Sequence, residues 1–148
     1  MGLFDKFLGG QGSENVRLDG REAFAALVLA IVGADGNVSD DEVRAANAVF
    51  NRMRLFAPQS TDQFRVMFDR LVGYLQKHGA EWLLTKAVAG MPDELRETAF
   101  ATAADLVFAD GSVEPAEQAL IEKIQRDLRV SDDLALKIIE VISIKNRG

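Results

Sequence analysis

The chain contains no cysteine among its 148 residues. This absence excludes a disulfide scaffold, a thiolate zinc site and a cysteine nucleophile, and it is consistent with a reducing compartment. Histidine is nearly absent too, because His78 is the only one. Its place beside Gly79, near a predicted helix end, is typical of a capping or solvated side chain.

Recognisable catalytic motifs are missing as well. Neither phosphate-binding glycine pattern, G-x-x-x-x-G-K-[ST] or G-x-G-x-x-G, occurs in the sequence. No Ser-His-Asp set can be assembled away from the single histidine. A hydrolase that uses carboxylates and a bound metal is the one catalytic class left open. We therefore expect a protein that is not an enzyme.

Long apolar runs and an excess of basic residues are also lacking. The longest apolar run, residues 23–32, is ten residues long, half of the roughly 20 needed to cross a bilayer. The opening residues show no secretory signal pattern, so a cytoplasmic location is expected. With 23 acidic and 17 basic side chains the net charge is −6, which argues against binding to nucleic acid phosphates.

What the chain does contain is ordinary globular material, 48% apolar and 27% charged. Its length favours one domain over residues 1–148. Residues 1–13 are expected to form a short helix and a flexible joint, "GGQGS". That helix is interpreted as docked on the body of the protein, with a weak membrane or partner contact as the alternative.

Helical periodicity and capping signals occur along the whole chain, and no segment shows sustained strand alternation. We therefore predict an all-α fold of about seven helices besides the N-terminal piece. The predicted boundaries are Asp19 as the cap of helix 20–33, Ser39 with Glu42 as a capping box, Ser60 or Thr61 as the third cap, Gly79 as a stop, a helix in 80–91, Pro92 opening a helix to about Ala109, Pro115 opening the next, and Ser131 capping 132–146.

Two of these helices have unusual apolar patterns. The helix over 20–33 is apolar nearly all round and is expected to be central and buried. The last helix is apolar on more than one face. Either it packs between two neighbours, or it exposes a strip that binds a partner or makes a dimer. The residues in question are Leu134, Leu136, Ile138, Ile139, Val141, Ile142 and Ile144.

The chain contains a duplicated acidic loop. "ADGNVSDDE" at 34–42 returns as "ADGSVEPAE" at 109–117, an offset of 75 residues. Each loop follows an apolar helix and precedes an amphipathic one. We therefore predict two related halves that pack around a pseudo-twofold axis, each with an Asp-Gly loop.

The loop pattern is that of the second half of an EF-hand calcium loop, with an Asp, then Gly, then Glu seven residues after the Asp. Apolar residues stand where its first acids belong, so a true EF-hand is excluded. One half-loop offers too few oxygens for calcium, whereas two brought together could offer four carboxylates. Plain turns with helix-capping acids are the alternative. The candidate ligands are Asp35, Glu42, Asp110 and Glu117.

Asp105 is a fifth candidate ligand. It interrupts the otherwise apolar "AFATAADLVFA", where the first repeat has Ala30. We expect this carboxylate on a buried face, where it needs a cation, a metal or several hydrogen-bond donors. It precedes Asp110 by a little over one helical turn, close enough to join the same site.

The paired "ADG.V....E" loops in a helical chain of this size, with the opening "MGLFDKF", resemble the TerB-like tellurite-resistance family. The resemblance covers nearly the whole chain. It implies a cytoplasmic helical domain whose acidic cluster binds divalent cations, calcium or magnesium. It also implies a role in the response to tellurite and other stress, with protein partners in membrane-associated metal-handling complexes at the inner membrane. Related domains occur in membrane-anchored J-domain co-chaperones, so a metal-independent interaction module is the alternative.

Overall fold

A computed structural model describes residues 16–34, 39–109 and 113–147 of the chain. This part of the protein is all-α and contains no strand, which confirms the predicted fold class. The predicted N-terminal helix lies outside the described residues. The elements are α1 (Gly20–Val32), α2 (Asp40–Asn51), α3 (Thr61–His78), α4 (Ala80–Gly90), a short 3₁₀ helix (Asp93–Leu95), α5 (Arg96–Val107), α6 (Pro115–Leu128) and α7 (Asp132–Lys145).

The helix starts follow the capping signals in the sequence. The Asp19 carboxylate accepts a hydrogen bond from the Glu22 backbone N–H, and Glu22 accepts one from the Asp19 N–H. Ser60, rather than Thr61, caps α3, and Ser131 caps α7 as predicted. These local bonds satisfy backbone donors that the first helical turn leaves unpaired.

Several predicted helix ends differ from the structure by one residue, and the largest difference follows Pro92. The chain after Pro92 forms a 3₁₀ helix first, and α5 begins only at Arg96 and ends at Val107, two residues before the predicted end. A 3₁₀ turn is a common way to enter an α-helix. The predicted stop at Gly79 is confirmed, because its φ of 91° is accessible to glycine and strained for other residues.

Helix α1 is the centre of the fold, as its all-round apolar pattern predicts. Residues 23–30 are all buried, with at most 5% of any residue exposed. The helix contacts α2, α3, α4 and α5, and its most extensive contact is with α4. The segment before α1 approaches the end of α4 so closely that a Cβ on Gly90 would lie 2.5 Å from the Leu18 carbonyl oxygen.

Five phenylalanines fill the space between α1 and the α2–α3 connection. Their ring centroids lie 4.8 to 6.5 Å apart, mostly edge to face. The connection is also tied to α1, because the Arg21 Nε donates to the Leu55 carbonyl at 2.8 Å. The cluster consists of Phe24, Phe50, Phe56, Phe64 and Phe68.

The second part of the fold is organised around α5. This helix contacts α1, α6 and α7, much as α1 contacts α2 and α3. In both cases an apolar helix packs against the next two α-helices in the chain. That contact pattern agrees with the sequence repeat, while the pseudo-twofold axis itself stays a prediction.

Candidate functional site

The structure describes the two ends of each acidic loop. Asp35 and Asp110, with the glycines that follow them, lie outside the described residues. The first loop runs from the end of α1 to the start of α2, and the second from the end of α5 to the start of α6. Equivalent helices therefore enter and leave the two loops.

Glu42 and Glu117 occupy the same place in their helices. Each is the third helical residue, and each accepts a hydrogen bond through Oε1 from the backbone N–H three residues earlier. The distances are 2.8 Å from Ser39 to Glu42 and 2.9 Å from Glu114 to Glu117. The capping role predicted for Glu42 is confirmed. The same bond at Glu117 was not predicted, although its spacing to Glu114 is the signal that could have indicated it.

A carboxylate that accepts one capping bond can still accept further hydrogen bonds or bind a metal ion. An ionised glutamate offers about four lone-pair positions on two oxygens, and Oε1 carries the capping bond in both cases. The bond also restricts the orientation of the side chain. The geometry of these glutamates is therefore compatible with both roles, helix cap and metal ligand.

The structure gives Asp105 a different partner from the acidic loops. Its carboxylate lies 3.1 Å from the Lys145 ammonium, in the last turn of α7. The expectation that Asp105 lies on a buried face is wrong, since 38% of its side chain is exposed. This side of α5 faces the end of α7, where the long lysine stem reaches Asp105 while its charged end remains solvated.

The end of α7 is also bonded to the last residue before the second acidic loop. The Asn146 Nδ2 donates to the Phe108 carbonyl at 3.2 Å, directly after the end of α5. The same asparagine accepts a bond from Lys145 at 3.1 Å. The Asn146–Phe108 bond and the Lys145–Asp105 bond join residues 38 and 40 positions apart, so sequence patterns gave no signal for them.

Within the ranges that the structure describes, no group of three or more His, Cys, Asp or Glu side chains could hold a metal ion. Glu42, Glu117 and Asp105 therefore form no such group among themselves. The predicted site depends on Asp35 and Asp110, and it stays a prediction.

The last helix has a partly exposed apolar surface. Leu136, Val141 and Ile144 are 66%, 64% and 54% exposed, whereas Ala135 and Ile142 are buried. Of the two interpretations offered by the sequence, the structure supports the exposed strip for these three residues. The other large exposed apolar side chain of the described part is Val66 on α3, at 70%.

A groove lies between α5, α7 and the end of α2. It encloses about 570 Å³, and its lining is mainly apolar. Val141 is on its wall, and three cations are among its lining residues. The full lining is Val49, Arg52, Met53, Thr98, Ala101, Thr102, Asp105, Lys137, Ile138, Val141, Ile142 and Lys145.

A second cavity, of about 690 Å³, lies between α2 and α3 against the phenylalanine cluster. The Gln59 Oε1 is buried there without a hydrogen-bond partner among the described atoms. Elsewhere, His78 packs against Trp82 with ring centroids 4.3 Å apart. This contact gives His78 a packing role that its position in the sequence did not indicate.

No helix in the described part of the chain has the length and apolar character needed to cross a membrane.

Comparison with known proteins gives one family. The model for the tellurite resistance protein TerB matches residues 21–137. The match includes both acidic loops and all five candidate ligands, and it ends in the second turn of α7. No curated protein and no solved structure matches significantly.

Proposed function

The chain belongs to the tellurite resistance protein TerB family, and from that premise we propose that it is a non-catalytic stress-response protein which binds calcium or magnesium between its two Asp-Gly loops. The observation that carries the proposal is the matching placement of Glu42 and Glu117. Both stand third in a helix that begins directly after an acidic loop, with the same backbone bond. The two loops thus present their acids from equivalent helix starts.

The oxygen count explains why two loops are needed. Calcium takes 6–8 oxygen ligands, and magnesium takes six in an octahedron. One loop supplies an Asp and a Glu, with Oε1 of the Glu already engaged by its capping bond. Two loops supply four carboxylates, and backbone carbonyls and waters complete the shell. Without a cation, four carboxylates in one place repel each other.

Thermal melts of the wild type, Asp35→Asn, Asp110→Asn and the double variant test the proposal in calcium, magnesium or chelator. Binding to the native state alone adds about 2.7 kcal/mol at a hundredfold excess over Kd, so the cation raises the melting temperature. Because the loops share one ion, either single change removes most of that gain. Identical wild-type melts in calcium and chelator would falsify the shared site. An additive loss would indicate two separate weak sites instead.

Glutamine variants separate ligation from capping. A glutamine at the third helical position can still accept the capping bond, so Glu42→Gln and Glu117→Gln keep the cap and remove the charge. We expect a melting temperature in chelator that is equal to or slightly above that of the wild type, because one repelling charge is removed, and a reduced gain in calcium. Glu122→Gln, at an exposed position of α6, is the matched control and keeps the full gain.

The second candidate function is a metal-independent interaction module of the co-chaperone type. The exposed residues Leu136, Val141 and Ile144 favour it, because several large apolar side chains exposed along one helix are a feature of binding surfaces. Either function accommodates protein partners in a membrane-associated metal-handling complex and a cytoplasmic location at the inner membrane.

Serine substitutions test whether the α7 surface is free for a partner. Leu136→Ser and Ile144→Ser should leave a folded monomer, since both side chains are more than half exposed. The expected cost is at most about 1 kcal/mol each, from partial burial and helix propensity. Circular dichroism melts and sedimentation measure it. Unfolding of these variants would mean that the strip belongs to the core.

A further inference from the structure

We propose that the groove between α5, α7 and the end of α2 binds an amphipathic helix whose apolar stripe is flanked by acidic residues. The groove is lined by residues outside both loop sequences, although the candidate ligand Asp105 is among them. The inference rests on the apolar lining and the cations of the groove and does not depend on cation binding. It gives the interaction-module candidate a defined site and a defined partner chemistry.

The floor of the groove suits the apolar side chains of a helix. Met53, Ala101, Ile138 and Ile142 are among its lining residues. Val141 stands on the wall with 64% of its surface in water, at an energetic cost that a partner's apolar stripe would relieve. Apolar grooves of this kind accept helices through anchor residues spaced three and four apart.

The charges of the groove select an acidic partner. Lys137, Val141 and Lys145 follow each other at four-residue steps along α7, so a cation stands one turn before and one turn after the exposed valine. The groove has one lining acid, Asp105, and it pairs with Lys145.

The other two cations of the groove have no acidic side chain within ion-pair distance among the described residues. In the part of the chain that the structure describes, neither Arg52 nor Lys137 makes an ion pair. The Arg52 Nε donates to the Ala48 carbonyl at 3.2 Å, which leaves the charge of the guanidinium unneutralised. Two unpaired cations beside an apolar floor contrast with the net charge of −6 of the whole chain. A helix with acids beside its apolar stripe complements both features.

The probe is a synthetic amphipathic helix of about four turns, with leucines along one face and glutamates on both flanks. Its matched control has glutamine in place of every glutamate. Each peptide is titrated into the full-length, isotope-labelled chain in chelator, and backbone amide shifts are followed by NMR. The chelator separates this test from the cation proposal, since failure of either leaves the other unaffected.

We expect saturable shifts in α5, in α7 and at the end of α2, with affinity for the glutamate peptide at least about tenfold higher than for its control. Added salt weakens the binding. Lys137→Glu and Val141→Asp each reduce the affinity at least about tenfold. Val66→Asp is the matched control, because it places the same charge on an equally exposed valine of α3 outside the groove, and it binds like the wild type.

Several results would overturn the inference. Equal affinity for the two peptides, shifts confined to the phenylalanine-lined cavity, or no saturable binding at about 1 mM peptide each contradict it. A concentration-dependent dimer that Val141→Asp abolishes assigns the groove to a second copy of the chain. Shifts of the same amides on removal of residues 1–15 assign it to the chain's own N-terminal segment.

Discussion

Two glycine-to-alanine substitutions are predicted to change stability in opposite directions. Gly90 ends α4, where a Cβ would lie 2.5 Å from the Leu18 carbonyl oxygen and 3.4 Å from the Ala23 Cβ. Gly73 lies within α3, where a Cβ would meet nothing within 4 Å. The same added methyl group therefore creates a clash at one site and none at the other.

The magnitudes follow from these distances. A carbon–oxygen contact is normally about 3.3 Å or longer, so Gly90→Ala must displace the Leu18 backbone by roughly 0.8 Å. Leu18 is 8% exposed and Ala23 is fully buried, so neither can move freely. Overpacking of this kind costs about 1–3 kcal/mol, and the small helix-propensity gain at a terminal position offsets part of it. We expect a net loss of about 1–2 kcal/mol.

Gly73→Ala should instead gain about 0.5–1 kcal/mol, because alanine loses less backbone entropy in a helix interior. Urea unfolding followed by circular dichroism measures both, with equal m-values showing that only stability has changed. The corresponding shifts in melting temperature are about 2–4 °C per kcal/mol for a chain of this size. A Gly90→Ala variant as stable as the wild type would refute the close approach of Leu18 to α4.

Two further predictions concern Asp105 and the cap of α2. Asp105→Asn and Lys145→Met should couple in a double-mutant cycle by at most about 1 kcal/mol, since both side chains are partly exposed. If Asp105→Asn also loses the stabilisation by calcium, and Lys145→Met does not, Asp105 is identified as a metal ligand. Ser39→Ala should cost about 1 kcal/mol through its lost bond to the Glu42 N–H, measured in chelator by urea unfolding, and an unchanged stability would contradict the capping role.

The helix boundaries could be read from the sequence because they depend on neighbours. Asp19, Ser39, Ser60 and Ser131 bond to backbone groups three residues away, and Gly79 adopts a backbone angle that suits glycine. The buried state of α1 followed from composition alone, since a helix that is apolar all round has no polar face to present to water.

The candidate site was predictable only in part. The repeated loop pattern identified the family, and the family model confirms it. Glu42 was predicted both as a cap and as a ligand, and the structure confirms the first role. The cation expected beside Asp105 is present as Lys145, whereas the expected burial was wrong. An aspartate between apolar residues indicates burial only if its helix is covered on that side. Whether α5 is covered there depends on α7, which follows 25 residues later in the chain.

The sequence by itself determined the helices, the central position of α1 and the family. Each of these depends on residues within one or two helical turns, or on the order of letters in a motif. The tertiary structure alone decided that Lys145 meets Asp105, that Leu18 lies against Gly90, and which side of α7 remains in water. These features join residues 40 and more positions apart or depend on which helices become neighbours. Their energies come from contacts that exist only after the helices have packed.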